Sequence, residues 1–239
     1  MGKTKRQEET SVKERIALKN AFKKKTGLVL FIGGIAFTAV VILWPIFMMV
    51  SQPQGGINEQ LLSIGAKPGT YVLNFVLAII IAPLISFILI CLAFFVPSNK
   101  DTPILNIFGA LLLAPYITLV SIAYTSQYTI LQSFISSGKL TDANYWYFGN
   151  QDSIPYFFNQ LGYIFFALSG WLIGYRFLFE KGIPKSVGVL LWLSGILSVM
   201  AFAGLAMKND VLNFSTILSG VLTIPIGFLV IIWGMRLRS

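Results

Sequence analysis

Apolar positions along this chain do not alternate with polar ones; they run together. Six windows hold the roughly 20 mostly apolar residues that a helix needs to cross a bilayer. They cover about 27–50, 70–96, 104–128, 155–179, 187–207 and 213–235. The segments between them, such as SQPQGGINEQ (51–60) and PSNKDTP (97–103), are rich in Gly, Pro, Asn and Ser. Those residues make turns at a water interface. The pattern predicts an all-α, polytopic fold: a basic tail over 1–26, then a six-transmembrane-helix bundle over 27–239.

Within the windows the small and polar residues are periodic. In LLLAPYITLVSIAYTSQYTILQ (111–132), Ala114, Thr118, Ser121, Thr125, Tyr128 and Gln132 recur three or four residues apart, which places them on one face of a helix. Thr216, Gly220, Thr223, Gly227, Val230 and Gly234 repeat this in the sixth window. Tyr163, Ala167, Gly170 and Gly174 do so in the fourth, and Ser194, Ser198 and Ala201 in the fifth. Lipid supplies little hydrophobic force between helices, so small residues that permit close approach, and hydroxyls that bond across it, hold a bundle together. A polar path for a solute would use the same residue types, and its candidate lining is Ser86, Thr118, Ser121, Thr125 and Thr223.

Pro83, Pro115 and Pro225 fall near the middle of their windows. Each removes a backbone donor and frees a carbonyl one turn earlier, at Ile79, Leu111 and Val221. Two sit in near-copies, IIIAPLIS (79–86) and LLLAPYIT (111–118). In antiparallel spans, matching kinks are expected to face each other across the midplane, a geometry associated with transporter sites.

Composition agrees with a membrane class: 56% of residues are hydrophobic and 11% charged. The net charge of +9 follows from topology once the charges are sorted by side. Of the 18 Lys and Arg, fifteen sort to the side of the tail, namely nine in the tail with Lys100, Arg176, Lys181, Lys185, Arg236 and Arg238, and three, Lys67, Lys139 and Lys208, to the other. That bias predicts both termini in the cytoplasm and no role for nucleic acid. Arg176, near the end of the fourth window, is expected to snorkel to the interface. Lys19, Lys23, Lys24 and Lys25 lie next to the first window and are expected to meet anionic lipid headgroups. Ser11-Val12-Lys13-Glu14 fits a capping box, so a cytoplasmic helix is expected to begin there. Its apolar residues Val12, Ile16, Leu18 and Phe22 form no narrow stripe. No cleavable signal peptide is expected, and a bacterial plasma membrane is the simplest location.

The chemistry is bounded by what is missing. There is no histidine and one cysteine, Cys91, so imidazole-ligated haem, the common zinc sites and an internal disulfide are not expected. The windows hold no Asp, Glu, Lys or His at depth, and serine without a neighbouring base is an unactivated alcohol. Neither an enzyme nor a cofactor is expected. The loop NYWYFGNQDSIP (144–155), with Tyr124, Tyr128, Tyr156, Phe157 and Phe158 beside it, reads as an aromatic belt packed on the outer mouth of the bundle; a ligand-binding cap is the sharper alternative, with Asp142 and Asp152 as its acidic groups.

One stretch carries a resemblance. GWLIGYRFLFEKGIPKSVGVLLWLSGIL (170–197), then TIPIGFLVIIWG (223–234), resembles the C-terminal part of a bacterial six-helix integral membrane family known as a domain of unknown function. The shared pattern is a span closing on a glycine, a proline and a basic residue, here Gly182, Pro184 and Lys185, then a small-residue span and a last span with a central proline. Gly227 and Phe228 stand where that family often has an acidic residue. The resemblance implies six spans and a bacterial inner membrane, and it carries no active residue. The function expected is that of a non-enzymatic structural or accessory component, with a possible protein partner in the membrane. The alternative is a small-solute transporter or channel using the proline-kinked helices 2, 3 and 6.

Overall fold

The computed structural model describes residues 2–96, 98 and 102–239, with side chains from residue 17 onward. Lys100 lies outside the described residues, as do the side chains of Lys3, Lys5, Arg6, Ser11, Val12, Lys13, Glu14, Arg15 and Ile16. The described chain is helical throughout, without a strand: α1 (Gly2–Ser51), α2 (Ile57–Ala66), α3 (Pro68–Phe95), α4 (Pro103–Tyr128), α5 (Ile130–Ser136), α6 (Leu140–Trp146), α7 (Ile154–Gly174), α8 (Ile183–Ala206), α9 (Asp210–Asn213) and α10 (Ser215–Arg238). Six segments are long and apolar enough to cross a membrane, and each of the six predicted windows falls within or largely within one of them.

Helix starts follow local chemistry. Pro68 and Pro103 open α3 and α4, where a missing N–H costs nothing. Ser153 caps α7, its Oγ accepting from the Tyr156 N–H at 3.3 Å. Before α8, Gly182 turns the chain at φ 66°, and Pro184 sits in the first turn. The helix thus starts at Ile183, ahead of the predicted 187, because Lys185 and Ser186 depress hydropathy without opposing helix.

The N-terminal expectation differs more. α1 is a single helix of 50 residues, roughly 75 Å at 1.5 Å per residue. No helix start lies at Ser11, and no break separates a tail from the first span at residue 26. Lys, Arg, Glu and Ala are all good helix formers, so propensity carries the helix through the polar region.

The spanning helices form a ring in chain order: α1 packs on α3, α3 on α4, α4 on α7, α7 on α8, α8 on α10, and α10 back on α1. Phe37, Leu89, Leu92, Leu113, Tyr116, Phe166 and Phe177 are buried in the core. Glycine sets the closest approaches. A Cβ on Gly27 would lie 2.7 Å from the Gly234 carbonyl oxygen, and one on Gly227 would collide with Thr38 Oγ1. These pairings run α1 and α10 antiparallel and put the start of the first span and the end of the last at one end of the bundle, the termini end. At the other, α2, α5 and α6 pack together as a cap.

Pro83, Pro115 and Pro225 lie inside helices that continue through them. The expected facing pair is not found: Pro83 is exposed on the perimeter and Pro115 half-buried. α3 turns Ala82, Ile85, Ser86 and Leu89 inward instead. A ring on the outer face leaves that packing intact.

Candidate functional site

The candidate path residues do not converge. Ser86 is buried on α3, and its Oγ has no hydrogen-bond partner. Thr223 is buried on α10 and donates to the Gly220 carbonyl at 2.6 Å, within its own helix. α3 and α10 are not neighbours in the ring. Thr118 is exposed, and Ser121 and Thr125 are half-buried; the hydroxyl bonds at Thr125 are local, Tyr128 Oη donating to its Oγ1 at 3.3 Å and Thr129 Oγ1 to its carbonyl at 2.8 Å.

The α4 seam is therefore not an internal helix contact. Leu113, Tyr116, Val120, Ala123 and Gln127 are buried in its place. Both faces share the seven-residue period; the one turned inward packs on α7, where Tyr116 meets the Tyr163 and Phe166 rings, Gly162 lies against Val120 and Gly109 against Ile173. The other three seams are contacts, that of the sixth window only from Gly227 to Gly234. Gly170 and Gly174 lie against Leu191 of α8, and Ser194, Ser198 and Ser219 bond across α8 and α10, with Ser219 Oγ 2.9 Å from each of the other two hydroxyls. Gly227 and Gly234 pack on α1.

At the cap end two glutamines act as hubs that a search for hydroxyls overlooks. Gln127 is fully buried. Its Oε1 accepts from Tyr71 Oη–H at 2.8 Å and the Phe148 N–H at 3.0 Å, while Nε2 donates to the Trp146 carbonyl at 2.9 Å. One side chain thus ties α3, α4 and the aromatic loop together. Gln160 Nε2 donates to Thr216 Oγ1 at 2.7 Å and Asn213 Oδ1 at 3.2 Å, joining α7 to the start of α10. Tyr147 Oη donates to Gln60 Oε1 at 2.6 Å, fastening the loop to α2; burial pushes its phenol up to about 12. Phe148 packs on Phe75, Tyr124 and Tyr156. The loop is a plug on the bundle mouth, and of the two expected acids, Asp152 meets Lys208 at 3.6 Å on the surface. The signal for these hubs was present as amides within apolar windows, since a buried amide requires partners.

The termini end holds the other polar focus, a cleft of about 350 Å³ lined by Phe94, Asn106 and Arg176 among others. Arg176 does not snorkel. It is 4% exposed and donates to the Ala93 carbonyl at 3.1 Å and to that of Val96, with its guanidinium 4.8 Å from the Phe177 ring centroid. These are the last carbonyls of α3, which carry the negative end of the helix dipole, so the buried cation caps a helix. The sequence placed it one turn from a span end without showing that a neighbouring helix also ends there. Asn106 Nδ2 joins at the same Ala93 carbonyl, 2.7 Å away, and Ser98 Oγ donates to Glu180 Oε1 at 2.8 Å. Lys19, Lys23, Lys24 and Lys25 are all exposed near this end.

The chain is an integral membrane protein by the length and composition of six helices. Compared with protein-family models, curated proteins and solved structures, nothing matches it. Among the described residues no three His, Cys, Asp or Glu side chains gather to hold a metal ion.

Proposed function

We propose that this protein is a non-enzymatic structural or accessory component of a bacterial plasma membrane, with both termini in the cytoplasm and the cap outside. The observation that carries this reading is the use made of buried polar groups. Gln127, Gln160, the Ser194–Ser198–Ser219 cluster and Arg176 all join helix to helix or cap to bundle, while the candidate path residues stay apart. The distribution of Lys and Arg supports the orientation, and the resemblance over 170–234 supports a bacterial membrane. Its partners are the bilayer, anionic lipid at Lys19, Lys23, Lys24 and Lys25, and a membrane protein seated on the outward hydroxyls of α4.

Purified protein in liposomes is expected to add no permeability to sugars, amino acids or inorganic anions, read by osmotic light scattering. Saturable flux of any of them would overturn the proposal. It would favour the second reading, a small-solute carrier, which draws support from the buried, unpartnered Ser86 hydroxyl beside Pro83; Ser86→Leu should then abolish the flux.

A further inference from the structure

Three cations at the termini end belong to the two helices that cross at Gly27. A Cβ on Gly27 would meet Leu237 Cβ at 2.9 Å and Arg238 Cγ at 3.0 Å, so the Arg238 stem crosses α1 at that glycine. Its guanidinium carbon then lies 5.3 Å from the centroid of the Phe31 ring, one turn deeper. Lys23 and Lys24 precede Gly27 by four and three residues, the spacing that shares a helix face, and both are exposed. Arg238 thus crosses α1 at Gly27, and Lys23 and Lys24 stand one helical turn before that glycine on the same side of α1. Asp152 pairs with Lys208 at the far end of the bundle.

Lys23, Lys24 and Arg238 concentrate positive charge within about two turns of one helix crossing, and an anion seated there offsets it, more so where the dielectric falls below that of water. The depth says which anion. The Arg238 cation stands over half-buried Phe31, and the neighbouring Leu28 and Ile32 are 42% and 57% exposed. A phosphodiester carrying acyl chains satisfies both the cations and these apolar side chains, whereas a hydrated phosphate ion satisfies only the cations. We propose that the α1–α10 crevice binds the phosphate of an anionic phospholipid, held by Arg238 on the bilayer side and by Lys23 and Lys24 on the water side, with the acyl chains along Leu28 and Ile32. This deepens the anionic-lipid reading above and rests on it in that the termini end meets lipid headgroups.

The test follows thermal unfolding of the full-length protein in neutral detergent during titration with phosphatidylglycerol, phosphatidylcholine or inorganic phosphate; a ligand bound only by the folded state raises the melting temperature. Phosphatidylglycerol is expected to stabilise the wild type beyond phosphatidylcholine, and inorganic phosphate to do little. Substituting Lys23→Gln, Lys24→Gln and Arg238→Gln together should weaken that preference about a hundredfold, from three contacts of roughly fivefold each. Lys181→Gln with Lys185→Gln, exposed cations at the start of α8, should leave it in place, and Arg238→Lys should retain most of it. If the triple variant does not fold, the exposed Lys23→Gln/Lys24→Gln pair carries the comparison. Equal losses in the crevice and control variants would overturn the crevice while leaving general attraction to anionic lipid intact. No preference in the wild type would overturn both. Stabilisation by inorganic phosphate equal to that by lipid would overturn the lipid assignment alone.

Discussion

At the scale of single residues, the side chains that matter most are amides. Gln127 fills its hydrogen-bonding capacity with groups from α3, α4 and the aromatic loop, all away from water. Gln127→Leu keeps the bulk and leaves the Tyr71 hydroxyl, the Phe148 N–H and the Trp146 carbonyl without their partner. A cost of about 3 kcal/mol is expected, at roughly 1 kcal/mol or more per orphaned group, read by thermal unfolding in detergent. Tyr147 gives a pH dependence with a definite sign. Its folded-state value of about 12 lies above the ordinary value near 10, so the folded state holds the proton more tightly. Its contribution is complete below about pH 10 and is lost as pH rises toward 12. Denaturation midpoints measured across that window should fall less steeply for Tyr147→Phe than for the wild type.

At the scale of elements, one glycine row on α10 shows how a periodic pattern is used unevenly. A Cβ on Gly234 would stand 2.6 Å from the Phe31 nitrogen and 2.8 Å from the Gly27 carbonyl oxygen; one on Gly220 would meet nothing within 4 Å. Backbone atoms cannot rotate aside, so Gly234→Ala must push α1 and α10 apart, at about 2 kcal/mol or more. Gly220→Ala is expected to be neutral or to stabilise by up to about 1 kcal/mol, through helix propensity alone. The α4 seam gives the matching contrast. Thr118 faces outward, so Thr118→Leu should change stability by no more than about 0.5 kcal/mol. Ser219→Leu, which forces a branched chain into the α8–α10 contact, should cost about 3 kcal/mol or prevent folding. Side-by-side melting of the four variants separates these outcomes.

At the scale of the whole molecule, the ring is closed by α1 against α10, its first and last spans, and is plugged at one end by the cap. Six alternating spans return the chain to the side where it began, so reporters fused after Arg238 and near Asn144 should report opposite sides of the membrane. Cytoplasmic activity at Asn144 would sink the proposed orientation. The cap holds through a few long-range bonds, among them Tyr147 to Gln60 and Gln127 to the Trp146 carbonyl. Limited proteolysis of the protein in detergent should therefore open the Asn144 region sooner in Gln60→Ala than in the wild type.

Membrane residence, the number of spans and their approximate limits were legible in the sequence, because a bilayer demands a fixed run of apolar residues whatever the packing. So were three of the four small-residue seams, since close helix approach in lipid needs small side chains. The outward turn of the α4 seam was not legible: Ala114–Thr118–Ser121–Thr125 and Leu113–Tyr116–Val120–Ala123 share one periodicity, and only the fit against α7, with Gly162, Tyr163 and Phe166, chooses between them. Pro83 is a similar case, its place along the chain fixed by sequence and its outward face by the packing of Ala82, Ile85 and Ser86. The roles of Arg176 and Gln127 belong wholly to the tertiary structure. Sequence placed a cation near a span end and an amide within a span; only the fold brought the last carbonyls of α3 to the one and Tyr71, Phe148 and Trp146 to the other.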